Sequence, residues 1–144
     1  MKKIITTTLL FGLSIFANGL FAQEMSADQL KTFQTDNVEN VQKVFKADDF
    51  TKCFQVKGKS YDLFSLSIKL DKKNLFNYFL DNKADVNKSC SDMTPLMYAA
   101  ISGQMDTAKL LLKHGAQKDA KDKNGKTAKD HALENKQKTI ALIL

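Results

Sequence analysis

The chain has 144 residues, 43% of them hydrophobic and 26% charged, a balance that suits one small globular domain and excludes a disordered chain. Its formal charge of +6 comes from lysine alone, without a single arginine. Bidentate phosphate contact and base readout favour arginine, and the lysines are interspersed with acids, so the excess reads as a solvated surface and no nucleic-acid partner is expected.

Residues 1–22 read as a secretory signal peptide. Lys2 and Lys3 give a positive start, an apolar run follows from Ile4, and Leu20-Phe21-Ala22 ends in a small residue suited to cleavage. Cleavage is expected after Ala22, with Gly19 as the alternative end. The other reading is an uncleaved N-terminal anchor, but Ser14, Asn18 and Gly19 make the run a poor membrane span, so no stable membrane insertion is expected. The Lys-Lys start and short apolar core are of bacterial type.

In residues 23–61, Ser26-Ala27-Asp28-Gln29 has capping-box spacing, and Leu30 and Phe33 share one helix face. Val38, Val41, Val44 and Phe45 form a second helical stripe, with Asp36-Asn37 at the turn between them. Asp48 to Tyr61, with Cys53, Gly58 and alternating Phe54 and Val56, reads as an extended finger-like loop.

Residues 62–93 repeat a two-helix pattern through Phe64, Ile68, Phe76, Phe79 and Leu80. The aromatic bulk of Phe64, Phe76, Tyr78 and Phe79 reads as core packing. In residues 94–126 the punctuation is complete. Thr94 is placed to cap a helix, Pro95 suits its first turn, and Gly103 is placed to end it. Leu96, Ala99 and Ala100 recur at helical spacing in the first helix; Ala108, Leu111 and Leu112 do so in a second, which Gly115 ends. Thr127, Ala132 and Ala141 stand 33 residues after Thr94, Ala99 and Ala108, and Asp122-Lys123-Asn124-Gly125 marks a hairpin turn before them. Two helices of about ten residues cannot bury their apolar faces alone and need copies on either side.

The run Thr94-Pro95-Leu96, Ala99-Ala100, Gly103, Leu111-Leu112 and Gly115-Ala116 resembles an ankyrin repeat, strongly supported over 62–144 and weakly over 23–61. The resemblance implies an all-α ankyrin-repeat solenoid of about four helix-turn-helix units, spanning about 23–61, 62–93, 94–126 and 127–144. The first and last units are expected to act as caps. In this frame Asp62-Leu63 replaces Thr-Pro, Asp71 replaces Gly103 and Lys83 replaces Gly115. Lys129 and Lys136 put charge on a face with no expected neighbour, as a C-terminal cap would.

The family implies a non-catalytic module that binds a protein partner through its loop tips and first helices, on the concave side. Carried onto this chain, the contact positions are Lys59, Tyr61 and Lys69 in the second unit, and Ser91, Met93, Ile101 and Ser102 in the third. In the fourth they are Lys123, Lys126, Glu134 and Asn135. Exposed Tyr61, Met93 and Ile101 are the expected apolar anchors, ringed by lysines. A periplasmic monomer is expected, with secretion as the alternative. Two narrower versions are an inhibitor or immunity-type protein for a toxin or enzyme, and an escort or protector of a periplasmic redox enzyme such as a catalase.

Cys53 and Cys90 each precede a repeat, where neighbouring loops of such a stack lie side by side. In an exported chain an even cysteine count invites a disulfide; the alternative is two free thiols in loops out of register. His114 is expected to make a helix-end hydrogen bond and His131 to pack against the next helix layer. Two histidines and two cysteines scattered over four units lack zinc-ligand spacing. Asp130-His131 has no placed nucleophile, and no glycine-rich phosphate loop is present. No catalytic residue, metal or cofactor is therefore predicted.

Overall fold

The computed structural model describes residues 23–144; the expected signal peptide at 1–22 lies outside the described residues. The helices follow the apolar periodicity in pairs: α1 (Ala27–Gln34) with α2 (Val38–Val44), α3 (Leu63–Lys69) with α4 (Lys73–Asp81), α5 (Pro95–Ser102) with α6 (Met105–Lys113), and α7 (Ala128–Glu134) with α8 (Lys138–Ala141). Each pair packs internally, and α3, α5 and α7 pack in succession, as do α6 and α8. One hydrophobic core runs from Met25 to Ala141.

Local chemistry sets the helix starts. The side chains of Ser26, Asn37, Asp62, Thr94 and Thr127 each accept an amide N–H in the first turn of the helix that follows, satisfying donors that have no partner inside the helix. Pro95 occupies the first turn of α5, where its missing N–H costs nothing. At the corner inside each pair the backbone turns left-handed, at Asp36 (φ 55°), Asp71 (φ 52°), Gly103 (φ 68°) and Lys136 (φ 60°). Substitution of the glycine has thus kept the corner and added the steric cost that a Cβ brings there.

The finger-like segment is not an extended loop. A 3₁₀ turn (Ala47–Thr51) leads into strands β2 (Phe54–Val56) and β3 (Lys59–Tyr61), which pair antiparallel with Phe54 opposite Tyr61. Lys57 and Gly58 between them have φ of 50° and 76°, the type I′ turn whose twist matches that of the strands. Strand β1 (Gln23–Glu24) joins β2 in parallel, completing a three-stranded sheet. The all-α expectation is corrected accordingly: the molecule is a helical repeat fold carrying a small sheet.

The hairpin is anchored by its inward side chains. Phe54 and Tyr61 are both buried, and Phe54 meets Phe45 at 5.6 Å between ring centroids. Phe45 in turn meets Phe33, Phe33 stacks on Phe79, and Phe79 meets Phe50 at 5.3 Å. This aromatic chain fastens α1, α2, the 3₁₀ turn, the hairpin and α4 together; each such pair contributes about 0.5–1.5 kcal/mol beyond its buried area. Helices α5 and α7 pack together with smaller side chains in the core: α7 buries only Ala128 and Ala132, and α5 buries Ala99 and Ala100 beside Leu96, Met97 and Tyr98.

Candidate functional site

The hairpin is held beside the loop that enters α5. Cys53, just before β2, is joined to Cys90 in that loop by a disulfide, with the Cα atoms 5.8 Å apart. The Ser91 hydroxyl donates to the Ser60 carbonyl at 2.8 Å, and the Lys88 ammonium donates to the Thr51 carbonyl. The next loop is linked to this one less directly, through a salt bridge of 4.0 Å between Lys123 and Asp92.

Along these loops and the first helices α3, α5 and α7 runs an open groove of about 500 Å³. It gathers seven of the residues expected to contact a partner: Lys59, Tyr61, Lys69, Ser91, Met93, Ile101 and Lys123. Ser102, Lys126, Glu134 and Asn135 do not line it; Lys126 is paired with Glu134 at 2.7 Å. Met93 and Ile101 are half-buried, presenting apolar surface at the groove. Tyr61 is corrected as an exposed anchor. It is 6% exposed because it lies on the inward face of β3, with its ring 5.5 Å from that of Tyr98.

The polar groups of the groove are largely committed within the molecule. The Ser91 hydroxyl bridges Ser60 and Tyr98. Asp122 accepts the amide N–H groups of Asn124 and Lys126 and meets the His131 ring at 2.9 Å. The Lys126 amide, followed by burial-opposed bonds from Asn124 and His131, holds the Asp122 carboxyl below its ordinary value. His131, expected to serve in packing, therefore fastens the 122–126 turn to α7. Burial pushes the phenols of Tyr61 and Tyr98 up, so both stay protonated at neutral pH and retain a donor. Asp62, beneath the disulfide, caps α3 through the Ser65 amide at 2.7 Å; burial raises its carboxyl despite the bonds from Ser65.

Tyr98, Asp122 and His131 were missing from the expected contact set although they line the groove. The signal that could have found Tyr98 and His131 is their equivalent place, one repeat length apart, on the exposed-loop end of α5 and α7. Among the described residues, no three His, Cys, Asp or Glu side chains gather closely enough to hold a metal ion, and no helix is long and apolar enough to cross a membrane.

A family model of three ankyrin repeats matches residues 64–144. The chain is also 45% identical over 60 residues to the E3 ubiquitin-protein ligase hecd-1 of Caenorhabditis elegans, a match covering 42% of the chain. It is 40% identical over 73 residues to the E3 ubiquitin-protein ligase Ufd4 of Drosophila melanogaster, covering 49% of the chain. The chain spans only 2% and 3% of the length of these two ligases, so the likeness is to a short stretch of each.

Proposed function

The chain belongs to the ankyrin-repeat family, whose repeats are generally protein–protein interaction modules, and from that premise we propose that it is an exported, periplasmic binding protein. It takes hold of a protein partner along the groove formed by the hairpin, the loop tips and helices α3, α5 and α7. The observation that carries this reading is the groove itself: Met93 and Ile101 offer apolar surface between lysines, on loops and helices braced from behind. A few partly buried apolar anchors within a polar rim are what a protein interface uses. The Cys53–Cys90 disulfide supports the oxidising compartment, since such bonds persist outside the cytosol. On this reading the first and last helix pairs close the ends of the stack, and the protein acts as a monomer.

The test is capture from native periplasmic extract by the wild-type protein and by a Met93→Asp/Ile101→Asp variant of unchanged thermal stability. One saturable partner is expected, held at least about tenfold more weakly by the variant, as loss of one or two anchor side chains produces. Equal capture by both proteins, or none by either, would sink the reading.

A further inference from the structure

A second recess adjoins the groove at its N-terminal end. It is about 300 Å³ in volume and lies between α1, the hairpin and the end of α3. Leu30, Val56 and Leu70 form half-buried apolar walls. Lys57, Lys59 and Lys69 stand exposed around the mouth, and no carboxylate lines it. Among the described residues none of these three lysines forms an ion pair. The far end of the groove is different, because Lys123 meets Asp92 and Lys126 meets Glu134. Positive charge is thus balanced at one end and unbalanced at the other, where it surrounds apolar surface. Like charges held around a recess repel one another, and an arriving carboxylate removes that repulsion while gaining its own attraction.

We propose that this recess receives one large apolar side chain from an acidic segment of the protein partner, with carboxylates on either side of that side chain meeting Lys57, Lys59 and Lys69. The volume is at the low end for a ligand pocket and suits a single Phe- or Leu-sized group. Lys59, Tyr61 and Lys69 line both the recess and the main groove, so a segment seated here continues towards Met93 and Ile101. The proposal rests on the partner-binding reading and adds the chemistry of the partner and the end at which its charge is read.

The probe is a synthetic peptide, blocked at both ends, with one phenylalanine flanked on each side by glutamates. It is titrated into the disulfide-intact protein while backbone amide shifts are followed by NMR. Shifts are expected at Leu30, Val56, Lys57 and Leu70, with affinity falling steeply as salt rises. Lys57→Glu/Lys69→Glu should weaken binding by about tenfold or more, in line with the loss and reversal of two rim charges, with unchanged thermal unfolding. A peptide with Ala for Phe should lose the shifts at Leu30 and Leu70. The proposal fails if glutamine or lysine versions bind as well, if no peptide binds, or if the same amides shift on concentrating the protein alone, which would seat a second copy there. It also fails if a fatty acid moves them at lower concentration. If native capture depends on Met93 and Ile101 but ignores the charge reversals, the acidic-segment proposal falls and the partner-binding reading stands.

Discussion

The N-terminal and C-terminal halves of this molecule solve the same packing problem with different materials. From α1 to α4 the contacts between elements are aromatic, linking Phe33, Phe45, Phe50, Phe54 and Phe79. The hairpin adds a sheet, and a disulfide ties that hairpin forward to the next loop. From α5 to α8 four alanines, Ala99, Ala100, Ala128 and Ala132, are buried among Leu96, Met97, Leu111 and Ile140 without a phenylalanine, with glycine at Gly103 and Gly115. The second half is more locally self-consistent, with glycine at two left-handed positions and threonine caps on α5 and α7; Lys136, at the α7–α8 corner, is its exception. In the first half, Asp36, Asp71 and Lys83 hold left-handed backbone that other residue types would adopt with less strain. Its stability must come from long-range contacts and the cross-link, so the two halves should fail differently when perturbed.

The largest effect is expected from removing the cross-link. The disulfide joins residues 37 apart in sequence, and a closed loop of that size corresponds to about 3–4 kcal/mol in the chain-entropy description. A Cys53→Ser/Cys90→Ser variant should lose about that much in urea unfolding. More telling is where the loss falls. Because repeats couple mainly to their neighbours, amide exchange should accelerate most in β1–β3, α1 and α2, and least in α7 and α8. Uniform acceleration along the chain would erase the contrast between the halves.

The same contrast explains what could be read from the sequence. Leu96, Ala99 and Ala100, or Ala108, Leu111 and Leu112, declare helices because everything that decides them lies within a few residues. Strand β1 cannot be read that way: Gln23 pairs with Phe54 across the first helix pair, and two residues carry no periodicity. The hairpin had a local signal in Lys57-Gly58, but Lys is an unusual first residue for a turn that needs positive φ there. Missing the turn hid the period-2 face of β3, and hence the burial of Tyr61. The groove was legible where it follows the helical repeat, at Lys69, Met93 and Ile101. Leu30 and Val56 belong to the adjoining recess only because the hairpin folds back beside α1, which no spacing rule predicts.

A smaller effect is expected at Gly103, where the C-terminal half depends on glycine. Its φ is 68°, and a Cβ there would lie 2.4 Å from the Gln137 Oε1. Gly103→Ala should cost about 1–2 kcal/mol, most of it from the left-handed backbone. The Gln137 amide is the flexible end of a long side chain and can move aside, so adding Gln137→Ala should recover only a minor part. Full recovery in a urea-unfolding comparison of the single and double variants would assign the cost to crowding and not to the backbone.

The smallest effect tests the strain at the left-handed positions of the first half directly. Lys83 occupies the place of Gly115 with φ of 60°, and Asp71 occupies the place of Gly103 with φ of 52°. Glycine at either position relieves left-handed strain in the folded chain but adds freedom to the unfolded one, an opposing term of about 0.4–1 kcal/mol. Aspartate tolerates the left-handed region better than most residues, because its short polar side chain can bond locally; lysine has no such compensation. Lys83→Gly should therefore stabilise by about 0.5 kcal/mol, raising the midpoint of thermal unfolding by about 2 °C for a domain of this size, whereas Asp71→Gly should leave it almost unchanged. If instead both variants destabilise to the same extent, the left-handed corners of the first half carry no strain, and its reliance on aromatic contacts and a disulfide needs another cause.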